Sequence, residues 1–132
     1  MVDSRLTPSP LAHALPLGAK PLPHEKLDVF RVAVELVEIS AAIKTIRGTA
    51  AAVDQLRRAA TSVALNISEA CGRDGADRRR FFAMARGSAL ESAAALRVLL
   101  ALRGIPPATH LRGRNLCERL YAMLTKLAGF GG

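Results

Sequence analysis

The sequence predicts an all-α fold, an up-down-up-down antiparallel four-helix bundle. Three observations predict it. Apolar residues recur at alternating spacings of three and four in four successive windows, the period of a helix with one buried face. Short breakers separate those windows: Gly48-Thr49, the run Gly72-Arg73-Asp74-Gly75, and Gly104-Ile105-Pro106-Pro107. The apolar half of the 132-residue chain is Ala, Leu, Val and Ile, with no Trp, one Tyr and four Phe. Such side chains suit closely packed helices better than an aromatic β-sandwich, and no period-two segment competes.

Residues 1–24 contain Pro8, Pro10, Pro16, Pro21 and Pro23. Proline removes amide donors and biases its predecessor away from the helix, so this segment is expected to be an extended or flexible arm. The bundle domain then spans 25–132. A first helix is expected over Leu27–Arg47, with Val29, Val32, Leu36, Ile39, Ile43 and Ile46 on one stripe. Leu27, Phe30, Val34, Val37 and Ala41 fall on a second stripe nearly opposite, which squeezes Asp28, Arg31, Glu35 and Glu38 into a narrow polar wedge. One core cannot use two opposed faces, so the second is expected to meet another subunit.

The second helix is expected over Ala50–Cys71, with Val53, Leu56, Ala60, Val63, Ile67 and Ala70 inward. Asp77 is the expected N-cap of a third helix from Arg78 to about Arg103. Its main stripe is Phe81, Met84, Ala85, Ser88, Ser92, Ala95, Leu99 and Leu102, and a second set (Phe82, Ala89, Ala93, Leu96, Leu100) again widens the apolar arc. Pro106 and Pro107 suit the start of a last helix, Ala108 to Ala128, with Leu116, Leu120, Met123, Leu127 and Phe130 inward. Gly113 is expected to weaken its first half by about 1 kcal/mol relative to alanine.

Nothing in the residues assembles a catalytic or metal site. His110 is the one histidine of the folded part, no Glu-x-x-His pair of the di-iron bundles occurs, and no glycine loop has phosphate-cradling spacing. No enzyme activity, metal or cofactor is therefore expected. Cys71 and Cys117 form no CxxC pair, which fits a reduced, cytoplasmic protein. No apolar run reaches the ~18 residues of a membrane span.

The second helix carries an ordered polar row beside its apolar stripe: Gln55, Arg58, Ser62, Asn66 and Glu69. Ser88 and Glu91 lie on or beside the facing stripe of the third helix. A buried carboxylate must be paired or protonated, so Glu69 or Glu91 is expected to meet Arg57, Arg58 or Arg86. Arg57, Arg58, Ser62, Asn66, Glu69, Arg86, Ser88 and Glu91 thus form an expected register-fixing network, with a ligand or partner site as the competing reading.

Lysine and arginine number 19 against 11 acids, a formal charge of +8, and the pI is near 10.7. That balance favours polyanions. Arg78, Arg79 and Arg80 sit in the first turn of a helix, where the macrodipole disfavours cations, and Arg73 adds a fourth guanidinium to the corner. A solvated turn and a phosphate-contacting cluster compete to explain them. The last quarter of the chain is also basic, with Arg112, Arg114 and Arg119 on the final helix. Phosphate contacts would dominate over base stacking, given one Tyr and no Trp.

The run QLRRAATSVALNISEACGR, Gln55 to Arg73, followed by FFAMARGSALESAAAL, resembles the bacterial four-helix-bundle proteins first noted as products of 23S rRNA intervening sequences. That family includes the accessory variability determinant of diversity-generating retroelements. The resemblance covers roughly residues 27–100. Ala70 departs from the glycine common after the glutamate, aromatic residues of the first helix are reduced to Phe30, and the proline-rich arm lies outside the likeness. The resemblance implies a ring-shaped homopentamer that binds RNA or DNA and assists a nucleic-acid enzyme such as a reverse transcriptase. The expected contacts are Arg73, Arg78, Arg79, Arg80, Arg112, Arg114 and Arg119. The alternative is a scaffolding homo-oligomer that captures a protein partner through the arm or a ring face.

Overall fold

The structure, a computed structural model, describes residues 14–131. The expected arm therefore lies largely outside the described residues, with Pro8, Pro10 and His13. A single 3-10 turn, Pro23–Lys26, precedes the helices α1 (Asp28–Ala42), α2 (Ala50–Cys71), α3 (Gly75–Ala101) and α4 (Pro107–Leu127). No strand occurs among the described residues. Each helix packs on its sequence neighbours and α4 closes back on α1, while α1–α3 and α2–α4 make no close approach. Contacts fix the directions. Arg78 reaches Ala70 and Ser62 reaches Ser88. Likewise Arg79 lies at Gly129, Arg86 at Thr125 and Leu96 at Gly113. Both series run antiparallel, the order of an up-down-up-down bundle.

α2 has the expected bounds. α1 does not: it stops at Ala42 instead of Arg47. Ile43 turns extended (φ −70°, ψ 126°), and Thr49 Oγ1 both accepts from Ile46 N and donates to Ile46 O, closing a tight turn. The carbonyls left at the end of α1 accept from the Arg57 side chain: Nε donates to Ser40 O at 3.1 Å and Nη2 to Ile43 O at 2.8 Å. Ile46, expected in the stripe, is consequently half exposed. Glu35, one of the four charged residues of the polar wedge, is buried. The second stripe of α1 is partly covered by the chain itself, for His24 sets its ring edge-on to Phe30 with centroids 4.6 Å apart.

α3 begins three residues earlier than expected, with Asp74 and not Asp77 at its N-cap position. Its fully buried residues include Phe82, Ala85, Ala89, Ser92, Leu96 and Leu99. That face blends the two expected stripes, and Met84 and Leu102 are exposed. α4 buries Leu116, Cys117, Leu120 and Leu124. Phe130, expected inward, is exposed. Gly113 proves necessary rather than merely weak: a Cβ there would stand 2.6 Å from Leu96 Cδ1, so glycine lets α4 approach α3.

Both α3 and α4 end on the same motif, in which two amides past the helix return to its last carbonyls. At α4 the left-handed position is Gly129 (φ 81°), and at α3 it is Arg103 (φ 59°). The glycine that follows, Gly104, is held for packing, since a Cβ there would meet Thr49 Cγ2 at 2.8 Å. The same contact places the α1–α2 and α3–α4 turns side by side at one end of the bundle.

Candidate nucleic-acid interface

The expected polar network resolves into separate parts. Its centre lies on the α2–α3 seam, where Ser62 Oγ and Ser88 Oγ are 2.9 Å apart. Asn66 Nδ2 donates to both Ser62 O and Ser62 Oγ at 3.0 Å. Ser92, fully buried, donates from Oγ to Ser88 O. The charged residues do not join this group, which corrects the expected pairing of Glu69 or Glu91 with Arg57, Arg58 or Arg86. Arg57 caps α1, and Arg58 pairs with Asp54 in solvent. Glu69 pairs with Arg73, while Glu91 is exposed beside a shallow groove between α2 and α3. Arg86 turns to α4, donating to Thr125 Oγ1 and Tyr121 Oη, with its guanidinium between the Tyr121 and Phe130 rings at 4.4 and 4.3 Å.

The arginines of the α2–α3 corner have intramolecular tasks. Arg73 bridges Glu69 (2.6 Å) and Asp77 (2.8 Å), and Arg80 pairs with Asp77 at 2.9 Å. Hydrogen bonds from Arg80 and then Arg73 hold the Asp77 carboxyl below the usual carboxylate range. Arg73 and Arg80 also lie over the Phe81 ring, at 4.8 and 4.6 Å. Arg78 donates to Ala70 O near the end of α2 and lies over Phe82, and Arg79 packs against Gly129. Acids placed at a helix start thus offset the cations that the macrodipole would oppose.

The opposite end is different. The chain carries no Asp or Glu between Glu38 and Asp54, and none between Glu91 and Glu118. The fold brings these two acid-free segments together, so Lys44 of one turn and Arg112 of α4 line one cleft and Arg103 of the other turn lines the adjoining one, with Arg47 on the same turn as Lys44. Among the described residues, no carboxylate pairs with any of the four side chains. Between the turns lies a cleft of about 420 Å³, walled by Ile39, Ile43, Ile46 and Ile105 and edged by Lys44 and Arg112. The seven expected contact arginines therefore do not share one surface. Arg73, Arg78, Arg79 and Arg80 sit at the corner, and Arg112 at the acid-free end. Arg114 pairs with Glu118 along α4, and Arg119 is exposed farther along the same helix.

The remaining candidates for chemistry stay apart. Among the described residues no three His, Cys, Asp or Glu side chains converge to hold a metal. Burial pushes the Cys117 thiol up to about 12, with Arg114 pulling weakly the other way, far from the thiolate a nucleophile needs. Burial also raises Cys71, against the pull of Arg78. Among the described residues no helix is long and apolar enough to cross a membrane.

Comparison with known families matches residues 25–126 to the family described as 23S rRNA-intervening sequence protein. The chain belongs to that family. No curated protein matches it. The match spans α1 to α3 and all but the last residue of α4. The segments Gln55 to Arg73 and Phe81 to Leu96 lie on the α2–α3 seam and corner, where Ser62 meets Ser88 and Asp77 pairs with Arg73 and Arg80. The acid-free end lies at the other pole. Lys44, Arg47 and Arg103 were not among the expected contacts, because each lies in a turn with one or two cations. The available signal was the absence of acids from two distant segments, not a run of basic residues.

Proposed function

We propose that this protein binds RNA or DNA through phosphates at its acid-free end, as a ring-forming bundle without catalytic activity. The carrying observation is the convergence there of Lys44, Arg103 and Arg112, with Arg47 on the same turn and, among the described residues, no carboxylate paired to them. Cations already bridged to acids lose part of what a phosphate would gain, because binding must break an existing pair. Uncompensated ones release the counterions of the nucleic acid without that loss.

The ring is part of the same proposal. Exposed Val98 and Leu102, with Gly48, Ala51, Ala52 and Ala94, line an apolar groove between α2 and α3 suited to a neighbouring subunit. In this reading the assembly presents nucleic acid to a separate enzyme, such as a reverse transcriptase.

Filter binding of RNA and DNA against salt tests the contact. Affinity is expected to fall steeply with salt, and Lys44→Ala with Arg112→Ala to lower the log–log slope by about 1–2. Arg73→Ala with Arg80→Ala is expected to change it less. Salt-independent affinity, or none, overturns the proposal.

A further inference from the structure

The cleft at the acid-free end is not a plain phosphate patch. Two cations line it, Lys44 on the α1–α2 turn and Arg112 on the first turns of α4, and most of the other lining residues are aliphatic. Ile39, Ile43 and Ile105 form a buried floor, and Ile46, Ala42 and Pro106 are exposed around it. Its volume of about 420 Å³ falls within the range of small-ligand sites, roughly 300–1,000 Å³. A shallower depression carrying Arg103 adjoins it across Gly104, Ile105 and Pro106. A largely aliphatic cleft lined also by Thr109 and by two cations, Lys44 and Arg112, that pair with no carboxylate among the described residues, and adjoining a depression that carries Arg103, matches an occupant that alternates apolar faces with anionic links.

We propose that the cleft takes an unpaired nucleotide, so that the partner at this end is single-stranded nucleic acid rather than a duplex. This rests on the polyanion reading of the same end. The base would lie on Ile43, Ile46 and Ile105, with its phosphates on Lys44 and Arg112 and the next one toward Arg103. A duplex keeps its bases stacked inside and offers only phosphates, so the isoleucines would stay in water and contribute nothing. Every base presents an apolar face, so this recognition tolerates sequence. It also needs no aromatic platform, which the chain scarcely possesses.

Fluorescence anisotropy with the full chain, using a labelled single strand and a blunt duplex of equal phosphate number, tests the inference. Ala42→Phe fills the cleft from an exposed position, and Ile46→Ser removes a half-exposed wall without touching the core. Each is expected to weaken single-strand binding by about five- to tenfold and duplex binding by less than about twofold, with the salt slope unchanged. A nucleoside monophosphate is expected to compete for the single strand better than inorganic phosphate at equal charge. Equal losses for both probes, or none, overturn the single-strand inference while salt-dependent binding upholds the polyanion reading. Stronger competition from a short fatty acid also overturns it, by assigning the cleft to another amphipathic anion. Absence of salt-dependent binding to either probe overturns both. Thermal unfolding followed by circular dichroism establishes that each variant is folded, and Ile46→Ser carries the test if Ala42→Phe is not.

Discussion

Arg57 and Arg58 are neighbours in sequence and opposite in consequence. Arg57 donates to carbonyls at the end of α1 that no intrahelical amide can reach, whereas Arg58 makes one exposed pair with Asp54. Arg57→Ala is expected to destabilise the fold by about 1–2 kcal/mol, and Arg58→Ala by less than about 0.5 kcal/mol. Equilibrium denaturation of the two variants checks this, and equal losses would refute the capping role. The difference was not legible in the sequence, because the partners of Arg57 are backbone groups 14 to 17 residues away. By contrast, Ser62, Asn66 and Ser88 could be read from helical spacing alone, since they lie on the seam between two helices joined by a short turn. The charged part of that row misled for a general reason. Long side chains reach whichever counter-charge lies along their own helix, so Glu69 found Arg73 at i+4 before anything across the bundle.

At the scale of the element, the ends of helices held most of the surprises. Periodicity located all four helices, yet α1 ended early, because a β-branched run and a threonine-closed turn outcompeted one more helical turn. The end of α3 shows a sharper conflict. Gly104 is needed for the approach of Thr49, so the left-handed position before it falls to Arg103. Arg103→Gly is expected to raise stability by about 0.5–1 kcal/mol and to weaken nucleic-acid binding. Thermal denaturation paired with filter binding reads both. A variant that gains stability with affinity intact would remove Arg103 from the interface. Gly113 carried the opposite lesson, since its helix-weakening reading omitted the Leu96 side chain packed against its bare α-carbon.

For the whole molecule, the bundle architecture was legible because four amphipathic windows with short turns leave few alternatives. The candidate interface was legible only in part, since it is assembled from two turns far apart in sequence. The apolar groove of α2 and α3 makes its own prediction at this scale. The native protein is expected to run at several times its 14.0 kDa chain mass in sedimentation. Val98→Asp, at a half-exposed position, is expected to release folded single chains. A native mass of one chain, or an assembly indifferent to the substitution, would refute the ring.

α1 starts and α4 ends at the same pole, where Gly129 packs on Arg79 at the start of α3, and that pole is the one opposite Lys44, Arg103 and Arg112. Any closed ring of such bundles standing side by side is therefore sided. All starts of α1 and ends of α4 would lie on one face and all acid-free ends on the other. The two faces would stand about a helix length apart.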